Sequence, residues 1–307
     1  MVNTISKAEQ FRVASIDSKT VNLLDENGRR LSLALAKQLT KTLGRLVVGD
    51  IVLVADGQVT QRQPRQNELS KQRGTTSKSF HQKGKDQLVA ANIDFVLITI
   101  AADQRFTLSM VDRYVASFSI PNARLAILVT KADAPESQRI YDQIRAAHPE
   151  LQVLRTSIYD QHLRTRFGRA FPGQNTFTLL GASGTGKSTL INYLAQTDLQ
   201  TTNQTRTGDN RGKHTTTASA LLPIAPFGYL IDTPGFKVIK SADFDPDVAF
   251  PAIIELAKQC QFSDCRHLSE PGCAVRQAVD AGALDPAVLL RYQNLMREAQ
   301  LDQRRHR

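Results

Sequence analysis

The sequence predicts a multidomain protein: a small N-terminal β-barrel (1–63), a basic linker (64–85), a central α/β domain (86–240) and a C-terminal helical domain (241–307). Three observations predict it. Short alternating or branched apolar runs fill the first sixty positions. From residue 93, continuous apolar strands alternate with helical periodicity. Past residue 243 the pattern is helical around a loop that holds all 3 cysteines.

In the first part, strands are expected near Phe11–Ile16, Thr20–Leu24, Arg30–Ala36 and Val47–Ala55, with Glu26-Asn27-Gly28 as a hairpin turn. So many short strands must close on themselves to hide their edges. An OB-type barrel is the first reading and an SH3-like barrel the second; the pattern does not separate them. From Arg62 to Lys85 the composition changes to seven Lys or Arg against one Glu, a local charge of +6. Large apolar groups are sparse there, so a linker or mobile basic loop is expected.

The α/β part opens with the apolar runs Ile93–Ile100 and Leu125–Val129, as in strands buried on both faces of a parallel sheet. Helical patterns lie at Leu108–Phe118 and Glu136–His148, and further strands at Gln152–Ser157, Thr176–Leu180 and Tyr229–Ile231. Asp285-Pro286 opens a last helix, with Asp as N-cap and Pro in the first helical position.

Charge and cysteine usage bound the function. The formal charge of +10 is unevenly spread: Arg62–Lys85 carries +6 and Arg291–Arg307, with five Arg against two acids, carries +3. Two basic arms of that kind suit a phosphate backbone better than a diffuse solubility charge does. An odd cysteine count suits a reducing compartment. MVNTISKAEQFRV lacks the apolar core of a secretory signal, and the longest apolar-rich run, Phe95–Ala102, is far short of a bilayer span. A cytoplasmic monomer with no membrane partner is expected.

The chemistry centres on Gly181, Ala182, Ser183, Gly184, Thr185, Gly186, Lys187, Ser188 and Thr189, which fit G-x-x-x-x-G-K-[ST] between an apolar strand and a helical run. Loop N–H groups and the helix start cradle phosphate; Lys187 reaches the β and γ phosphates and Ser188 places its hydroxyl on Mg²⁺. About 45 residues on, apolar Tyr229–Ile231 runs into Asp232-Thr-Pro-Gly235. There Asp232 serves Mg²⁺, and Gly235 can offer its N–H to the γ-phosphate. Thr130-Lys131-Ala132-Asp133 fits [NT]-K-x-D. The Asp133 carboxylate accepts from guanine N1–H and the 2-amino group, whereas adenine would leave it unpaired. The Lys131 stem can lie over the base, and Thr156-Ser157 can complete the pocket.

The order of these motifs is unusual, because the base reader precedes the phosphate loop by about fifty residues. Circular permutation keeps such a site while moving the chain ends. That order resembles the ribosome-small-subunit-dependent GTPases of the RsgA (YjeQ/YloQ) type. The resemblance rests on AANIDFVLITIA (90–101), MVDRYV (110–115), TKAD, GASGTGKS, RGKHTTT (211–217), DTPGF (232–236) and the cysteine cluster. It implies an OB barrel, a circularly permuted GTPase domain and a zinc-bearing helical domain. It also implies GTP turnover to GDP and phosphate, stimulated by the small ribosomal subunit during late maturation, with the barrel and basic arms on rRNA. Thr130 stands where the family has Asn, which implies a weaker brace on the nucleotide loop.

In RGKHTTT a threonine can ligate Mg²⁺ only with the γ-phosphate present. Thr216 is favoured by its place in the family motif, with Thr215 next. Phe236 occupies the position where Ras-like enzymes carry a water-orienting Gln, so intrinsic hydrolysis is expected to be slow. The resemblance implies that His214 takes this role once a partner orders the loop. Finally, Cys260-x₄-Cys265-x-His267-x₅-Cys273 supplies three thiolates and an imidazole, a closed set for one structural Zn²⁺. Two other functional classes fit parts of the pattern. One is a P-loop ATPase or small-molecule kinase with a fortuitous TKAD; the other is a nucleic-acid-binding protein whose nucleotide site does not turn over.

Overall fold

The structure is a computed structural model that describes residues 8–35, 42–71, 87–196, 219–233 and 246–305. Its N-terminal sheet holds β1 (Glu9–Ile16), β2 (Thr20–Leu24), β3 (Arg30–Ala34), β4 (Ile51–Ala55) and β5 (Gln58–Arg62), in the order β3-β2-β1-β4-β5 and antiparallel throughout. Alternation does the folding here: Phe11 and Val13, Val21 and Leu23, Val52 and Val54 turn to one shared core. Among the described pairings, β3 and β5 remain the sheet's two edges.

Two local expectations shift. The run from Val47 is strand only from Ile51, because Asp50 turns the chain and accepts the Val47 N–H through Oδ2 at 2.8 Å. Gly49, at φ +90°, fits only as glycine: a Cβ would stand 2.1 Å from the Ala91 carbonyl oxygen. The segment expected to be linker begins inside the fold. β6 (Glu68–Lys71) pairs with β7 (Gln87–Ala91), and Arg65 Nε lies 2.6 Å from the fully buried Asp50 carboxylate. Order there comes from backbone pairing and an ion pair, which apolar content does not register. Residues 72–85 lie outside the described residues.

The central sheet has β8 (Phe95–Ala101), β9 (Arg124–Thr130), β10 (Gln152–Thr156), β11 (Asn175–Leu180), β12 (Ala220–Pro223) and β13 (Gly228–Asp232), in the order β10-β9-β8-β11-β13-β12. Only β12 runs antiparallel. All seven residues of β8 are buried, and its alternate side chains feed two separate cores. Val96, Ile98 and Ile100 meet α1 (Leu108–Phe118) and α2 (Ser137–Ala147); Phe95 and Leu97 meet α3 (Leu163–Ala170) and α4 (Lys187–Ala195).

This topology places the site. From β8 the chain moves outward through β9 and β10, then returns to β8's other side as β11. The carboxyl ends of β8 and β11 therefore flank a switch point, where open α/β sheets bind ligands. The C-terminal part follows as α5 (Pro246–Ala249), α6 (Pro251–Ala257), α7 (Ala274–Asp280) and α8 (Pro286–Arg305). Asp285 Oδ1 accepts the Ala287 N–H at 2.8 Å, the expected cap. No described helix is long and apolar enough to cross a membrane.

Candidate nucleotide site and metal centre

The loop from Gly181 to Gly186 joins buried β11 to α4 at the switch point. Gly181 sits at φ +145°, and a Cβ there would fall 2.3 Å from the hydroxyl of Thr99 on β8. Gly186 caps α4 in the left-handed region with no side-chain cap bond, which leaves the first-turn N–H groups to whatever the loop encloses. Lys187 curls into the loop, its Nζ donating to the carbonyls of Gly181 at 2.8 Å and Ala182 at 2.6 Å. Burial holds its ammonium below the ordinary lysine value, while Asp232 at the end of β13 acts in the opposite direction.

The hydroxyl of Thr185 lies 2.7 Å from that of buried Thr99, which also donates to Leu180 O at 3.1 Å. From the other side Thr130, also buried, donates to the Thr185 carbonyl at 2.7 Å. The brace expected to be weakened by Thr in place of Asn is therefore made. The shorter side chain reaches because β9 delivers Thr130 directly behind the loop.

At the mouth of β9, Lys131 adopts φ +54° and its ammonium lies 2.7 Å from the Asp103 carboxylate. Asp133 accepts a 2.6 Å bond from the Ser157 hydroxyl, and that bond foremost holds its carboxyl below the ordinary range. A backbone bond ties the two loops, with Ala132 N–H donating to Thr156 O at 3.1 Å. The strand ends thus bring Thr130, Lys131, Asp133 and Ser157 together beside the phosphate loop.

The metal positions divide by donor chemistry. Ser188 in the first turn of α4 and Asp232 at the end of β13 offer hard oxygens, which suit Mg²⁺. Beside them Thr233 has a buried hydroxyl with no hydrogen-bond partner among the described residues. That orphaned oxygen fits a site completed by a polar ligand. In the C-terminal part, the ligand atoms of Cys260, Cys265, His267 and Cys273 all lie within 4.8 Å of one another. His267 Nδ1 is 3.4 Å from Cys273 Sγ and 3.7 Å from Cys260 Sγ, and the two sulfurs are 4.0 Å apart. A tetrahedron around zinc has edges of about 3.5–3.8 Å, so a contraction of up to about 1 Å would close the set on such an ion. Burial holds the His267 imidazole below its ordinary value, favouring the neutral form that ligates.

Comparison with known proteins agrees with this arrangement. The family model described as RsgA GTPase matches residues 62–242. The chain belongs to the RsgA GTPase family. Among curated RsgA relatives, the small ribosomal subunit biogenesis GTPase of Xanthomonas axonopodis pv. citri (strain 306) is 37% identical over 263 residues, 83% of this chain and 69% of that protein. The protein of the same description from Mesorhizobium japonicum is 36% identical over 298 residues, 94% of this chain and 83% of that one. In fold, the chain is similar to YjeQ from Thermotoga maritima, with TM-score 0.67 and 23% identity over 96% of this chain and 99% of that one. It is also similar to YloQ, a circularly permuted GTPase, with TM-score 0.62 and 23% identity over 98% of each chain.

Several expected RsgA site residues, His214, Thr216 and Gly235, lie outside the described residues, as do Thr215 and Phe236. Three others were not anticipated. Thr99 and Asp103 come from the end of β8, and Tyr114 on α1 lies against the backbone of Ala182 in the phosphate loop. Thr99 and Tyr114 fall inside AANIDFVLITIA and MVDRYV, two of the runs that carry the resemblance, whereas Asp103 lies in no motif.

Proposed function

We propose that this RsgA-family chain hydrolyses GTP on the small ribosomal subunit during late maturation, and that the subunit stimulates the reaction. The observation that carries this reading is the 2.7 Å bond from Thr130 to the Thr185 carbonyl, which makes base reader and phosphate loop one unit despite their reversed order. A P-loop ATPase with a fortuitous TKAD would have no need of that bond.

In this reading Asp133 accepts from the guanine edge, with Ser157 holding its carboxylate in place. Backbone N–H groups of Gly184 to Thr189 and the Lys187 ammonium hold the phosphates. Ser188, Asp232 and Thr216 would hold Mg²⁺, which would supply positive charge against the phosphates. Water adds to the γ-phosphorus as its bond to the β–γ bridging oxygen breaks, giving GDP and phosphate. His214 orients that water, since Phe236 cannot, and Gly235 donates its N–H to the γ-phosphate. Zn²⁺ on Cys260, Cys265, His267 and Cys273 is structural, with no ligand position left for catalysis.

The strand order β3-β2-β1-β4-β5 supports an OB-type barrel, because only a β3–β5 seam is needed to close it. We divide the chain into this barrel (1–63), the connection to 85, the GTPase domain (86–240) and the zinc domain (241–307). The barrel and basic segments grip rRNA by shape and backbone, and the protein works as a cytoplasmic monomer. The test is turnover of GTP and ATP with and without purified small subunits. GTP-selective turnover that rises with subunits is expected; comparable ATP turnover, or no stimulation, would overturn the reading.

A further inference from the structure

The turn that ends β8 carries a carboxylate, Asp103, that belongs to none of the nucleotide motifs. Asp103 Oδ2 lies 2.7 Å from Lys131 Nζ. The pair is built from both sides. Ala102 N–H donates to Thr130 O at 3.0 Å, and Gln104 N–H closes the turn on Ala101 O at 3.2 Å. The backbone bearing Asp103 is thereby tied to the first residue of the base-reading motif. Lys131 holds φ +54°, an uncommon conformation for a non-glycine residue, so its stem leaves the strand in one set direction. Next in the turn, Gln104 Nε2 donates to the Ser183 carbonyl at 3.4 Å, reaching the phosphate loop from the same segment.

Stability is a poor explanation for the contact. Lys131 is 37% and Asp103 48% exposed, and ion pairs so placed contribute little to folding. Restricting a lysine is a different matter, because its stem and ammonium sample many rotamers when free. We propose that Asp103 is a positioning residue for guanine nucleotide: it fixes the Lys131 ammonium, so that the four-carbon stem is preset for the base that Asp133 reads. The inference rests on the GTPase reading above and extends it to a residue outside the G-motifs. Binding then does not have to order this side chain, and nucleotide release is slowed.

The test is stopped-flow release of N-methylanthraniloyl-GDP from the full chain, with steady-state GTP turnover on the same samples. Asp103→Asn keeps the size and removes the charge. Release is expected to quicken by about three- to tenfold. The loss should fall in KM rather than kcat, which a general loosening of the fold would not produce. In a Lys131→Met background, Asp103→Asn should add nothing, because its effect passes through the lysine. Release from Asp103→Asn at the wild-type rate, or effects of the two substitutions that multiply, would overturn the inference and leave the GTPase reading intact. Wild-type protein with no preference for labelled GDP over labelled ADP would overturn both.

Discussion

Arg291 on α8 reaches across to the α/β domain and pairs with Asp112 on α1, Nη2 standing 3.0 Å from Oδ1 and Nε 3.3 Å from Oδ2. Asp112 is fully buried, and His148 Nε2 lies 2.9 Å from the same Oδ1. Arg291 also donates to Ala147 O at 3.1 Å. Two residues beyond Asp112, Tyr114 meets the backbone of Ala182 in the phosphate loop. One helix therefore touches the C-terminal domain with one side chain and the nucleotide loop with another.

Removing one partner of a buried pair strands the other charge, so Arg291→Ala is expected to cost about 3 kcal/mol. The remaining bond from His148 keeps the loss at the lower end of the usual range. Denaturant unfolding of the full chain checks this, and a change under about 0.5 kcal/mol would mean the pair is replaceable.

Thr130→Val keeps the shape and removes the hydroxyl, leaving the buried Thr185 carbonyl without its 2.7 Å donor. A loss of about 1–3 kcal/mol in stability follows. Because the defect lies in the phosphate loop, GDP and GTP should weaken together, which calorimetric titration of each would read.

The fold and site divide into what local pattern carries and what only packing supplies. Strands such as Phe95–Ala101 and the GASGTGKS loop are legible because burial on both faces and phosphate chemistry each leave a contiguous signature. β5 (QVTQR) and β12 (ALLP) are too polar or too short to stand out, and α3 (LRTRFGRA) hides its core contacts, Leu163 and Phe167, among arginines. The charges were the harder case. Composition alone assigns Arg62, Arg65 and Arg291 to two basic arms, yet each is engaged in the fold: Arg62 with Leu43 O, Arg65 with Asp50, Arg291 with Asp112. A partner 179 positions away leaves no trace in local composition.

Asp133 should confer guanine selectivity by its charge and by two acceptor oxygens. Asp133→Asn is expected to lower GTP affinity by about a hundredfold or more and to admit xanthosine triphosphate, whose 2-oxo group accepts from the new amide. The pH dependence has a definite sign. Ser157 holds the Asp133 carboxyl below its ordinary value, so binding persists as pH falls and is lost only near that lowered pKa. Ser157→Ala should move the acid limb of GDP binding to higher pH, and an unmoved limb would separate the two residues.

Cys273 is buried, caps α7 and accepts the Arg276 N–H at 3.5 Å through the sulfur that faces His267. Cys273→Ser should therefore lose zinc, read as metal content, and loosen the segment from Cys260 to Asp280. Proteolysis is expected there first, while nucleotide binding by the α/β domain persists. Full zinc retention in this variant would argue against a four-ligand site.

With Arg62 and Arg65 engaged in the fold, the first basic arm narrows to Lys71, Arg73, Lys78, Lys83 and Lys85. Neutralising the last four should weaken subunit binding and reduce the slope of log affinity against log salt by up to about four. GTP affinity without subunits should stay unchanged, since none of these residues belongs to the nucleotide motifs. Subunit binding with an unaltered salt slope would place the phosphate contacts elsewhere, on the barrel or the C-terminal helix.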